Sequence, residues 1–200
     1  MPKEKLNILE STCVPLPLEN IDTDQIIPAR FLSATTREGF GNNLFRDWRF
    51  DNKGELNKEF ILNDHKYSGR ILVAGKNFGC GSSREHAVWA IYDFGFRVVI
   101  SSFFADIFRN NALNNGLLPV VIPEPDLQDL MNLIREVPGT IVRIILEERK
   151  LEIQSNGKTI TFGINPYKQE CLIKGLDDID YLLSMKGKIL DYEKMKGIVV

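Results

Sequence analysis

Apolar residues recur along this chain with two different periods, and the change of period divides it into parts. Residues 6–32 read as extended chain punctuated by Pro15, Pro17 and Pro28, so strands there are expected to be short or to lie at a sheet edge. Within that stretch, residues 20–28 alternate polar and apolar positions around two acids, Asp22 and Asp24. Residues 33–57 read as a long loop with some helix, loosened by Gly39, Gly41 and Gly54 and pinned by Phe40, Leu44, Phe45, Trp48 and Phe50. Loops of that length inside compact domains tend to be functional or mobile.

From residue 70 the pattern becomes α/β. Residues 71–74 form a short apolar run, expected as a buried strand, followed by a glycine-rich turn and a helix from about 83 to 94. A strand over 97–101, a helix over 103–115 closed by Gly116, and a strand over 118–122 come next. Strands alternating with helices imply crossover connections and a parallel sheet. Residues 125–137 place Leu127, Leu130, Met131 and Ile134 on one helix face. Strands are then expected over 140–146, 150–154 and 158–162, with Asn156-Gly157 as a hairpin turn between the last two. After Asn165-Pro166 the chain reads as helical, with Leu172, Ile173, Leu176, Ile179 and Leu183 as its packing residues.

Composition narrows the function classes. The 200 residues are 44% hydrophobic and 26% charged, enough for a core and for solubility. Twenty-five basic against 27 acidic residues leave a formal net charge of −2, which argues against a dedicated nucleic-acid surface. No apolar run is long enough to span a bilayer, and the N-terminus leads into no signal-peptide core, so a cytoplasmic protein is expected. Cys13, Cys80 and Cys171 are an odd, scattered set without C-x-x-C spacing, unsuited to a disulfide framework. With only His65 and His86 beside them, a complete metal or iron–sulfur site within this chain is not expected.

The densest chemistry lies in Gly79-Cys80-Gly81-Ser82-Ser83-Arg84-Glu85-His86-Ala87. Ser82 through Glu85 fit a capping box, in which Ser82 caps the helix and Glu85 reaches back. The glycines permit positive φ, and a helix start offers N–H groups and partial positive charge. Arg84 adds a guanidinium able to grip a carboxylate through two hydrogen bonds. Together these make an anion site. A helix cap with a surface ion pair accounts for the motif equally well on its shape alone. The stretch lacks the G-K-[ST] ending of a P-loop and the third glycine of the dinucleotide fingerprint. His86 falls about one turn into the helix with no Asp placed to orient it, so it reads as a packed histidine rather than a triad member. A lowered pKa is open to Cys80 in such a turn; its plainer reading is a small residue in a tight loop.

The run Asn77 to Ala87 resembles the signature of the aconitase swivel-domain family. The resemblance narrows to the small subunits of isopropylmalate isomerases through residues 20–28, Thr36 to Gly41, Leu44 to Phe50, Ser102 to Phe108, Asn114 to Val120 and Gly175 to Ile179. It covers essentially the whole chain, 1–200, as one domain with 33–57 as a substrate loop and 165–200 as a helical tail. It implies an α/β fold, a three-layer β/β/α swivelling domain. It also implies half of a hydro-lyase: a separate large subunit carries a [4Fe–4S] cluster, and this chain binds no cofactor. In that family Ser82 would be the base, with Arg84, Ser83, Arg37, Asp24 and Arg30 as substrate-binding residues. The substrate would be a hydroxy dicarboxylate, 2-isopropylmalate, isomerised to 3-isopropylmalate in leucine biosynthesis. Two departures are visible: Ala29-Arg30 stands where relatives often carry Lys-Gln, and Val88 where many have proline. Rival substrates are citramalate and homoaconitate; rival classes are a non-catalytic anion-binding module and an assembly subunit. The isolated chain is open to homo-oligomers through the surface meant for its partner.

Overall fold

A computed structural model describes residues 4–33 and 38–197. Its frame is a seven-stranded sheet of order β4-β3-β2-β1-β5-β6-β7. The strands are β1 (Ile8–Leu16), β2 (Ile71–Ala74), β3 (Val98–Ser101), β4 (Leu118–Val121), β5 (Ile141–Ile145), β6 (Lys150–Ile153) and β7 (Lys158–Thr161). β1 to β4 run parallel, while β5 joins β1 antiparallel and continues into a β5-β6-β7 meander. The helices are α1 (Thr23–Ile26), α2 (Arg46–Arg49), α3 (Glu85–Asp93), α4 (Asp106–Asn114), α5 (Glu124–Glu136), α6 (Pro166–Lys174), α7 (Asp178–Ser184) and α8 (Lys186–Met195).

Alternation along each parallel strand splits the apolar residues between two cores. Leu72, Ala74 and Val99 face one core with Val88 and Ile91 of α3, Phe108 and Ala112 of α4, and Ile26 of α1. Ile71, Val73, Val98 and Ile100 face the other, shared with α5 and with Val142, Leu151 and Ile160 of the antiparallel half. The sheet curls so that β7 reaches α5, where Lys158 Nζ meets Asp126 (2.8 Å) and Asp129 (3.0 Å). The layers are therefore antiparallel sheet, parallel sheet and the α3–α4 pair, the β/β/α order expected.

β1 departs from expectation. It is nine residues long and central, although it contains Pro15. Its first part, Ile8 to Thr12, pairs with β5, and its last part, Cys13 to Leu16, pairs with β2. Each half of the strand is bonded on one flank, so the missing N–H of Pro15 breaks no second ladder.

Residues 40–63 are pinned as the aromatic spacing predicts. Phe40, Leu44 and Phe45 are buried, Phe45 stacks on Trp48 at 5.4 Å, and the Phe45 amide donates to the Ile26 carbonyl (2.8 Å). Gly41 lies so close to the end of α3 that a Cβ would come within 2.4 Å of the Phe94 nitrogen. The tail is helical, but Ile179 and Leu183 are 68% and 64% exposed rather than packed. α7 is tethered to α6 by polar and aromatic contacts instead: Tyr167 and Lys168 both donate to Asp178, and Tyr167 meets Tyr181 edge-on.

Candidate active site

Three strand-to-helix connections meet at the carboxyl edge of the parallel strands, the place where open α/β sheets expose binding groups. They follow β1, β2 and β3. The connection after β2 is sewn to the first by a parallel bridge, Asp22 with Cys80, and to the third by another, Phe78 with Phe104. Gly79 and Cys80 amides donate to the Ile21 carbonyl (2.8 and 3.2 Å), and the Thr23 amide donates to the Cys80 carbonyl (2.9 Å). Ser101, fully buried, donates its hydroxyl to the Gly75 carbonyl (2.8 Å). The loop that carries Ser82 is thus held on both sides by backbone, with Ser82 and Ser83 exposed at its tip.

Arg84 and Asp24, sixty positions apart, form an ion pair across this seam. The Arg84 side chain is only 16% exposed, whereas that of Asp24 is 53% exposed. The guanidinium is thereby aimed from a packed base towards an open surface. Beside it, Thr23 is buried at 2% exposure; its Oγ1 donates to the Ser82 carbonyl (2.9 Å) and lies 3.5 Å from Ser82 Oγ. Asp22 caps α1 in a reciprocal box with Gln25. Sequence reading singled out the acids of this segment and missed Thr23.

The capping box at Ser82 does not form. α3 starts at Glu85 with Arg84 in extended conformation at the N-cap, and no side chain caps it. The reason is the seam itself: Cys80 and Ser82 carbonyls are already committed to the Thr23 segment, which keeps the chain extended past Ser82. Glu85 instead accepts from Asn115 Nδ2 (2.9 Å), and Asn115 Oδ1 accepts from Trp89 Nε1 (3.2 Å), tying the start of α3 to the end of α4. His86 packs against Trp89 (4.5 Å) and Phe40 (5.6 Å) as expected of a packed histidine. Val88 is fully buried in α3, leaving the loop before it undisturbed.

Cys80 is half-buried, and its thiol donates to the Asn20 carbonyl (3.4 Å). Burial, then the Asp22 carboxylate, push its pKa up, so the lowered value is not found. Burial pushes Cys13 up further. Among the described residues, no three His, Cys, Asp or Glu side chains converge so as to hold a metal ion.

Arg30 is not brought to this cluster. Both its guanidinium nitrogens go to Asp47, whose carboxyl they hold below the usual range, and its face lies over Phe31. With Arg46, Phe50 and Lys53 it lines a cleft of about 500 Å³ whose walls include neither Ser82 nor Arg84. Arg37 lies outside the described residues.

Residues 3–125 match the Aconitase C-terminal domain family. A 3-isopropylmalate dehydratase small subunit from Cytophaga hutchinsonii is 56% identical, with 96% of this chain and 95% of that protein aligned. The protein of the same name from Christiangramia forsetii is 55% identical over 96% and 94%. A solved 3-isopropylmalate dehydratase structure from Methanocaldococcus jannaschii superposes with a TM-score of 0.65 at 31% identity, over 94% of this chain and 99% of that one. No described helix is long and apolar enough to cross a membrane. The chain belongs to the aconitase C-terminal domain family and, within it, to the small subunits of 3-isopropylmalate dehydratase.

Proposed function

We propose that this chain is the serine-bearing half of a cytoplasmic hydro-lyase that isomerises 2-isopropylmalate to 3-isopropylmalate with a large iron–sulfur subunit. The observation that carries the reading is the seam itself, which brings Thr23 and Asp24 against Ser82 and Arg84 on an exposed edge. The names of the relatives support both the substrate and the division into subunits. This chain's own donor set does not fit a cluster: Cys13 and Cys171 are buried, and among the described residues no three His, Cys, Asp or Glu side chains converge, at Cys80 or elsewhere. A cluster held by the large subunit would supply the Lewis acid for the substrate hydroxyl.

Within this chain, the roles follow from chemistry. Arg84 leaves Asp24 to hold a substrate carboxylate through charge-assisted hydrogen bonds, and the exposed Ser83 hydroxyl adds a donor. Asp24 keeps the guanidinium extended and neutralised while the site is empty of substrate. Ser82 Oγ takes the proton from the carbon beside that carboxylate. A free serine is far too weak an acid to do so as an alkoxide, so nearby positive charge and loop donors have to stabilise its oxygen. The hydroxyl on the neighbouring carbon leaves as water, giving an alkene diacid. Water then adds back with its hydroxyl on the carbon that lost the proton, and the proton returns to the neighbouring carbon, which exchanges hydroxyl and hydrogen. Arg37 joins from the 33–57 loop; Arg30 contacts substrate only by leaving Asp47.

The test is co-purification with the large subunit, anaerobic reconstitution, and assay on isopropylmalate, citramalate and homoaconitate. The expected result is turnover fastest on isopropylmalate, and a loss of about a thousandfold or more in kcat for Ser82→Ala. Full turnover by Ser82→Ala would remove the base from this chain. Discrimination between isopropylmalate and citramalate rests on the alkyl group alone and is expected at about 10–200-fold.

A further inference from the structure

We propose that Thr23 is a positioning residue for Ser82, a buried hydroxyl that fixes the Ser82 backbone and serves as a movable donor to its oxygen. The inference rests on Ser82 acting as the base. Thr23 is 2% exposed, sits at the first position of α1, and belongs to a chain segment 59 residues from the serine it touches. One oxygen, Thr23 Oγ1, lies 2.9 Å from the Ser82 carbonyl and 3.5 Å from Ser82 Oγ. A hydroxyl has one proton and rotates freely about its C–O bond. With Ser82 neutral, that proton goes to the carbonyl and Thr23 accepts from the Ser82 hydroxyl. When Ser82 Oγ carries negative charge, the better acceptor lies on its other side, and the proton turns towards it. The loop is not released when this happens. The Thr23 amide still donates to Cys80 and the Thr23 carbonyl still accepts from Ile27 (3.0 Å), so the backbone seam holds while the side chain works.

That separation makes the hydroxyl testable without cutting the seam. Thr23→Val keeps the shape and both backbone bonds and removes only the donor; Thr23→Ser keeps the donor and removes a methyl. In the complex reconstituted with the large subunit, Thr23→Val is expected to lower kcat about tenfold, the effect of one buried hydrogen bond, with KM changed less than about threefold. Thr23→Ser is expected to restore most of the lost rate. Thr23→Ala, which puts no methyl against Ser82, carries the same expectation as Val and covers a packing failure of that variant. Ser82→Ala is assayed alongside. A Thr23→Val enzyme with unchanged kcat beside an inactive Ser82→Ala overturns the role of Thr23 and leaves the base in place. A fully active Ser82→Ala overturns the base itself, whatever Thr23 does. Hydrogen–deuterium exchange on the isolated chain gives a readout without turnover. Peptides covering residues 79–84 should exchange faster in both Thr23→Val and Thr23→Ala while those covering 71–74 stay unchanged; unaltered exchange at 79–84 overturns the positioning role.

Discussion

The exposed serine depends on a glycine that has no room for anything else. Gly79 sits at φ +76°, and a Cβ there would fall 2.2 Å from Cγ of Phe108. Phe108 is itself buried and stacked edge-on against Phe78 at 5.1 Å, so it has nowhere to go. Gly79→Ala combines overpacking with a disfavoured backbone and should cost about 3 kcal/mol or more, read as a fall of about 6–12 °C in a thermal melt. Next to it, Cys80 gives a chemical readout of the same loop. Cys13 and Cys171 are buried and Cys80 alone of the three is half-exposed, yet its thiol is pushed up by burial and by Asp22. Alkylation of the native protein at pH 7.5 should therefore modify Cys80 alone, and more slowly than a free thiol; mass mapping of the labelled peptides checks it. The sequence singles out Ser82 and Arg84 through the density of polar groups in a glycine turn and through the family resemblance of residues 77–87, since the shape of the motif alone fits a helix cap equally well. It does not single out Thr23, since nothing in residues 20–28 says which of their polar groups is buried. That is decided by a loop 59 positions away.

Among the elements, the errors of reading have a common cause. The capping box was a sound local inference, and it lost to the pairing of residues 21–23 with 79–82, which holds the loop extended until Arg84. β1 looked like an edge because prolines weaken a ladder; it is central because two different neighbours share its length. Local pattern could not see either partner. The parallel strands and α3 to α5 were legible because their apolar period is set by burial on the spot. The tail shows the converse: Leu182, Leu183, Ile189 and Leu190 carry helical spacing, yet each is more than 40% exposed. α8 packs chiefly on α7, whose own ties to α6 are polar and aromatic. Ending the chain at Met185 should leave the melting temperature of the isolated protein within about 2 °C, since exposed residues contribute little to the folded core. A larger fall, measured by differential scanning calorimetry, would mean that α8 covers one of the two cores.

Across the whole molecule, the sheet keeps chemistry and anchoring at opposite edges. Ser82 and Arg84 lie beyond the carboxyl ends of the parallel strands. Glu4 clamps the other edge, receiving hydrogen bonds from Arg70 just before β2 and from Arg97 just before β3, both at 2.6 Å. Those two guanidiniums lower the Glu4 pKa from its ordinary 4.5. A carboxyl whose folded pKa is depressed stabilises the fold fully above its unfolded pKa and loses that contribution as pH falls through the folded one. Glu4→Gln should therefore reduce stability at pH 7, by about 1 kcal/mol or less because the side chain remains 44% exposed. The deficit should shrink steadily below pH 4.5 as the wild-type carboxyl takes up its proton. Urea denaturation of both proteins across pH 3–7 gives the curve, and a deficit independent of pH would assign the loss to packing instead of charge. Because the clamp and the seam share no residue, the reconstituted Glu4→Gln enzyme should keep its wild-type kcat at pH 7. A fall in kcat would mean that strain at one edge of the sheet reaches the serine at the other.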